Sequence, residues 1–140
     1  MDSNRIDKNN LEDFTVNIKI KLSTLWAATT LCYFYGDYFE LYLPGKVEEL
    51  LNGENLLGSP EKLLAASVLL VITAITVFLS VVLKPKINGL LNNIFGILFT
   101  AIMLLTAFTP LVPWKAFYVF LALVESTLTI LITYNVWKLP

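Results

Sequence analysis

No histidine occurs anywhere in the 140 residues. Imidazole bases, His-ligated zinc or haem, and histidine-based pH switching therefore lie outside this chain's chemistry. The single cysteine, Cys32, excludes an internal disulfide and says nothing of redox compartment. Charge is also scarce: Asp, Glu, Lys and Arg make up 15% of the residues, where a typical globular domain carries about 25%. Ten basic against eleven acidic residues leave a formal net charge of -1. That balance offers no basic surface to a nucleic acid. Phosphate-cradling glycine loops, dinucleotide fingerprints and catalytic nucleophile motifs are missing as well. No cofactor is expected, and the chemistry leans away from an enzyme.

What remains is apolar, 56% of the chain, and it falls in four blocks. Leu22 to Leu43 is uncharged up to Asp37, and Leu63 to Leu83 has no ionisable group. Ile87 to Trp114 has none either, and Ala116 to Trp137 holds only Glu125. A hydrocarbon core of about 30 Å takes about 20 helical residues to cross. A soluble bundle would need polar outer faces, which the second and third blocks lack. The fold expected is therefore all-α: an integral membrane four-helix up-down bundle, with spans of about 22–43, 63–83, 87–109 and 114–137. Pro44-Gly45, Lys84-Pro85-Lys86 and the Pro110/Pro113 pair mark where helices stop. Ser59-Pro60 supplies a cap and a first-turn proline.

Residues 1–21 read as a tail without a cleavable signal. From Phe14 to Ser23 apolar and polar residues alternate, a pattern open to a strand or to an early helix start. Lys46 to Gly53 places Val47, Leu50 and Leu51 on one face, which predicts a short helix on the outer interface. An even number of spans gathers Arg5, Lys8, Lys19, Lys21, Lys84, Lys86 and Lys138 on one side, against Lys46, Lys62 and Lys115 on the other. Positive charge favours the cytoplasm, so both termini are expected inside.

Glu125, near the middle of the last span, is the sharpest signal. Eleven Phe, Val, Leu and Ile residues in Ala116–Trp137 contribute about −3 to −7 kcal/mol on the insertion scale, and a charge of this kind costs about 2.5–3.5 kcal/mol. Insertion survives, but the carboxyl group needs a proton, a partner or water. Tyr118 and Thr129 share its helical face. On the first span Trp26, Thr30, Tyr33, Asp37 and Glu40 recur at helical spacing and should face the bundle interior. Asn92, towards the inner end of the third span, lies near Gly89 and Gly96, which allow close helix approach. Glu125, Asp37, Glu40, Tyr33, Tyr118, Thr129, Asn92 and Trp26 are thus the candidate ligand- or proton-binding residues. Thr73, Thr76 and Ser80 form a weaker polar stripe that reads as packing. Without histidine or paired cysteine only hard oxygen donors are available, and no metal site is expected.

Leu25-Trp26, Tyr33 with Tyr35, Asp37, Leu41-Tyr42, Pro44-Gly45, Lys84-Pro85-Lys86 and Glu125 together resemble a family of small bacterial four-helix membrane proteins of unknown function. The resemblance implies residence in the bacterial inner membrane and carries no activity, substrate or site. Two functions follow from the residues. One is binding, or proton-coupled transport, of a small molecule or ion through a polar intramembrane pocket. Four helices enclose little volume, so a transport path would call for a homodimer in the lipid bilayer. The other is a non-catalytic accessory or assembly subunit of a membrane complex.

Overall fold

A computed structural model describes residues 15–108 and 112–138. Most of the expected tail, Phe14 included, lies outside the described residues. Of the described residues 83% are helical, and none of them lies in a strand. Helix α1 runs Ile18–Glu40, α2 Lys46–Asn52, α3 Pro60–Val82, α4 Pro85–Ala107 and α5 Ala116–Trp137, the last preceded by a 3-10 turn at Pro113–Lys115.

Each boundary has a local cause. The Asn17 side chain accepts from Lys19 N at 2.9 Å and caps α1. The helix therefore begins inside the alternating stretch, and residues 18–23 are helical, not extended. A lone strand has no partner for its backbone groups, whereas the helix buries Leu22 completely. Gly45 and Gly53, with φ of 81° and 70°, bracket α2 in the left-handed region where a side chain would be strained. Ser59 Oγ accepts from Lys62 N at 3.4 Å, with Pro60 in the first turn of α3. Only Leu83 and Lys84 separate α3 from α4, and Pro85 opens α4 where its missing N–H costs nothing.

Helices α1, α3 and α4 each hold 23 residues and α5 holds 22. Such helices are about 33–35 Å long, enough for a bilayer core of about 30 Å. By length and composition three helical segments can cross a membrane: Pro60–Val82, Pro85–Ala107 and Pro113–Trp137. α1 matches them in length but is outside this set, since its Ser, Thr, Tyr and charged residues make it less apolar. α5 packs most extensively on α4, and α1 packs on both α3 and α5, while α3 and α4 touch sparingly.

The burial pattern is inverted. Fully buried residues of α3 are Thr73, Thr76 and Ser80, while Leu64, Val68, Ile75 and Phe78 point outward. Across the described residues ten polar or charged side chains are buried against seven apolar ones. Most buried hydroxyls are satisfied within their own helix: Thr29 Oγ1 donates to Leu25 O at 2.9 Å, Thr76 to Ile72 O at 2.6 Å and Ser126 to Ala122 O at 2.7 Å. The apolar part of the core is a small cluster of Leu22, Trp26, Tyr33, Phe99, Ile132 and Val136.

Gly96 sets the α4–α5 approach. A Cβ there would stand 2.5 Å from Thr133 Oγ1 and 3.5 Å from the Thr129 carbonyl. At Gly36 the nearest atom, Leu121 Cδ1, would be an ordinary 3.6 Å away. Gly96→Ala is therefore expected to cost about 1–3 kcal/mol through overpacking. Gly36→Ala should be neutral or stabilising by up to about 1 kcal/mol. Denaturant unfolding of the two variants in detergent micelles measures the contrast.

Candidate functional site: a buried carboxyl in a polar cavity

Towards the C-terminal end of α1 and the N-terminal end of α5 lies a cavity of about 40 Å³ between α1, α4 and α5. Tyr33, Gly36 and Asp37 line it from α1, Met103 and Thr106 from α4, and Tyr118, Leu121, Ala122 and Glu125 from α5. Helical periodicity explains the set: Tyr118, Ala122 and Glu125 follow one another at spacings of four and three, and Gly36 and Asp37 lie three and four residues after Tyr33. Antiparallel packing of α1 on α5 then brings the two rows together. At 1.5 Å per residue, Glu125 lies about 14 Å in from the start of α5, and Tyr33 about 10 Å in from the end of α1. Asp37 and Tyr118 are nearer the helix ends, and Asp37 is exposed. The cavity therefore narrows from an acidic rim to a buried carboxyl group.

Two polar groups in this cavity are unusual. Glu125 is only 4% exposed, and its carboxyl group has no hydrogen-bond or ion-pair partner among the described residues. The Tyr33 hydroxyl is buried and likewise has none. Leaving such groups unmade costs about 1–3 kcal/mol each, more if charged. The neighbouring Thr106 hydroxyl donates within its own helix, to Ile102 O at 2.9 Å.

Tyr33 also belongs to an aromatic cluster outside the cavity wall. Phe99 stands 5.8 Å from the Tyr33 ring and 5.8 Å, edge-on, from the Trp26 ring. Beneath it lies a second polar cluster with no spare valence. Trp26 Nε1 donates to Asn92 Oδ1 at 2.6 Å and Ser80 Oγ to the same oxygen at 3.2 Å. Asn92 Nδ2 donates to Asn88 O at 2.8 Å and to Asn88 Oδ1 at 2.6 Å, and Asn88 Nδ2 donates to Ser80 O at 2.8 Å. All four side chains are at most 2% exposed. The network ties α1, α3 and α4 together where α3 and α4 otherwise touch little.

The eight residues singled out in the sequence thus fall into three places. Tyr33, Asp37, Tyr118 and Glu125 share the cavity. Trp26 and Asn92 belong to the closed network, and Thr129 Oγ1 sits 2.7 Å from Thr100 Oγ1, binding α5 to α4. Glu40, one turn beyond Asp37, turns away from the cavity and pairs with Lys46 at 2.7 Å. Glu40 and Lys46 line a second, more open pocket with Glu49, Trp114 and Lys115. The hydrogen bond to Glu40 is the main reason the Lys46 ammonium is held above its ordinary value. Asn88 escaped the sequence reading, although its spacing of four from Asn92 was a visible signal. Met103 and Thr106 gave none, since nothing in their local sequence marks them as cavity walls.

Fold and cavity together define a helical protein with three bilayer-length apolar helices and an unpartnered carboxyl group in its interior. A family of unknown function, DUF6326, matches residues 10–139, and the chain belongs to it. No curated protein and no solved structure matches the chain.

Two outcomes follow from this geometry. Asn92→Ala removes acceptor and donor together and strands the Trp26 indole N–H; thermal unfolding in detergent should show a loss of about 1–3 kcal/mol or more. The Lys46 tether is fully present below the ordinary lysine value of about 10.4 and is lost as pH rises through the raised one. A nitroxide attached at position 52 should therefore gain mobility, by electron paramagnetic resonance, above that pH, and at neutral pH in Lys46→Met.

Proposed function

We propose that the chain is an integral membrane protein in which α1 is a fourth crossing and the Glu125 cavity binds a small molecule or ion in a step coupled to protonation. One observation carries this reading: a carboxyl group 4% exposed, without a partner, in a cavity bounded by an exposed Asp37. A carboxylate at such depth in a low-dielectric interior needs a proton or a positive ligand. The two alternate, and that alternation is the basis of coupling.

Several features support the membrane reading. α1 equals its neighbours in length and packs between α3 and α5, so it shares their thickness of bilayer. Four crossings put Lys19, Lys21, Lys84, Lys86 and Lys138 at one end, and the rule for basic residues assigns that end, with both termini, to the cytoplasmic face of a bacterial inner membrane. The cavity then opens outward. A cavity of about 40 Å³ does not reach through the chain, so a full path needs rearrangement or a second copy of the chain in a homodimer.

The accessory-subunit reading rests on α2, which buries no residue and leaves Val47 and Leu51 54% and 81% exposed. That face suits a lipid interface as well as a partner, so it supports the second reading less than Glu125 supports the first.

Reconstitution into liposomes carrying a pH-sensitive dye tests the proposal. Wild-type vesicles should dissipate an imposed proton gradient faster than empty ones, and Glu125→Gln vesicles should behave as empty ones. Equal rates for wild type and Glu125→Gln, or wild-type vesicles as tight as empty ones, would refute coupled transport.

A further inference from the structure

We infer that the ligand of the Glu125 cavity is a monovalent inorganic cation of about sodium's size, bound in exchange for the Glu125 proton; this rests on the reading just given and names its substrate class.

The Tyr33 hydroxyl has no partner among the described residues. Tyr33 is 9% exposed, lines the cavity, and its oxygen is buried with no hydrogen-bond partner. Buried hydroxyls are nearly always satisfied, and a bound ion or water is one of the few reasons for an exception. The hydroxyl oxygen has lone pairs to offer a cation and a proton to offer a carboxylate. It thus serves both states of the site.

Every heteroatom side chain in the wall except the Met103 thioether is an oxygen donor: Tyr33, Asp37, Thr106, Tyr118 and Glu125. The Thr106 hydroxyl donates to Ile102 O at 2.9 Å, within its own helix. Oxygen-only surroundings select hard cations.

Size and charge narrow the class. A water needs about 10–15 Å³ of such space, so about 40 Å³ admits an ion with a water or two. Organic substrates of drug size occupy pockets of about 300–1,000 Å³ and do not fit. Only one carboxylate, Glu125, lies deep; Asp37 is at the exposed rim. Calcium asks for about six to eight oxygens, and no set of three or more acidic, Cys or His groups converges among the described residues. A divalent ion would leave uncompensated charge in a low-dielectric interior, while a monovalent ion neutralises Glu125 as a proton does.

The ionisable groups facing Glu125 are few. α1 presents Tyr33, Asp37 and Cys32, and α5 presents Tyr118. α4 contributes Met103 and Thr106, and α3 nothing, to this wall. No lysine enters it. The exchange is balanced as written: the protonated carboxyl releases its proton to water on the Asp37 side as the cation binds the carboxylate.

Infrared difference spectroscopy on the full chain in liposomes, switching sodium chloride for choline chloride at fixed pH, reads this exchange directly. Sodium should bleach a protonated-carboxyl band that Glu125→Gln lacks, and the half-saturating sodium concentration should rise about tenfold for each pH unit of acidification, as competition requires. Tyr33→Phe removes only a hydroxyl without a partner, so the fold should persist and the pH response remain, with sodium affinity about tenfold weaker. A band that titrates with pH but ignores sodium, lithium and potassium overturns the cation assignment and leaves the protonation reading standing. A band absent at every pH overturns both. Sodium affinity unchanged in Tyr33→Phe places the ion elsewhere and defeats the inference.

Discussion

The constraint on which this structure depends is that its polar side chains have nowhere to go but inward. α3 shows it most plainly. Leucines, valines, isoleucines and Phe78 occupy its outer surface, and the threonines and Ser80 are hidden. A water-soluble bundle is driven by the opposite arrangement. Here cohesion comes from close backbone approach at Gly96, from interhelical bonds such as Thr100 to Thr129, and from the Trp26–Asn92–Ser80–Asn88 knot. These are the forces available where apolar burial offers little difference between inside and outside.

Against that background the two unmade bonds stand out. A chain that returns nearly every buried hydroxyl to its own backbone, and closes a four-residue amide network without a spare atom, leaves Tyr33 and Glu125 facing one space. Economy elsewhere makes the omission informative. A buried polar group left without a partner in a folded chain calls for a reason, and a catalytic or ligand-binding role is one of the few that serve.

Much of this was legible beforehand. The helices follow from uncharged stretches and from Pro60, Pro85 and the glycines about α2, because those signals are local. The grouping of Tyr33 with Asp37, and of Tyr118 with Glu125, follows from helical spacing alone. What the sequence withheld was the relation between helices. Glu40 shares the helical stripe of Asp37, yet one further turn carries it beyond the cavity to Lys46, and only the position of α2 decides that. Trp26 and Asn92 looked like pocket walls because each is polar at one end; that they satisfy each other depends on how α1 meets α4. The alternation of Phe14–Ser23 pointed equally to a strand because period two describes side chains, whereas the Asn17 cap decided the backbone.

The lysines carry a consequence for biogenesis. Lys19, Lys21, Lys84, Lys86 and Lys138 cluster at one end of the long helices, and among the described residues that end has no carboxylate, while Asp37, Glu40 and Glu61 lie at the other. In a bilayer such a bias, five lysines against Lys46, Lys62 and Lys115 at the other end, would favour one orientation over the other, since basic residues resist translocation far more than acidic ones do. Dual topology, in which half the copies insert upside down and pair head to tail, is thereby disfavoured. Neighbouring copies would stand parallel, both mouths sampling the same compartment.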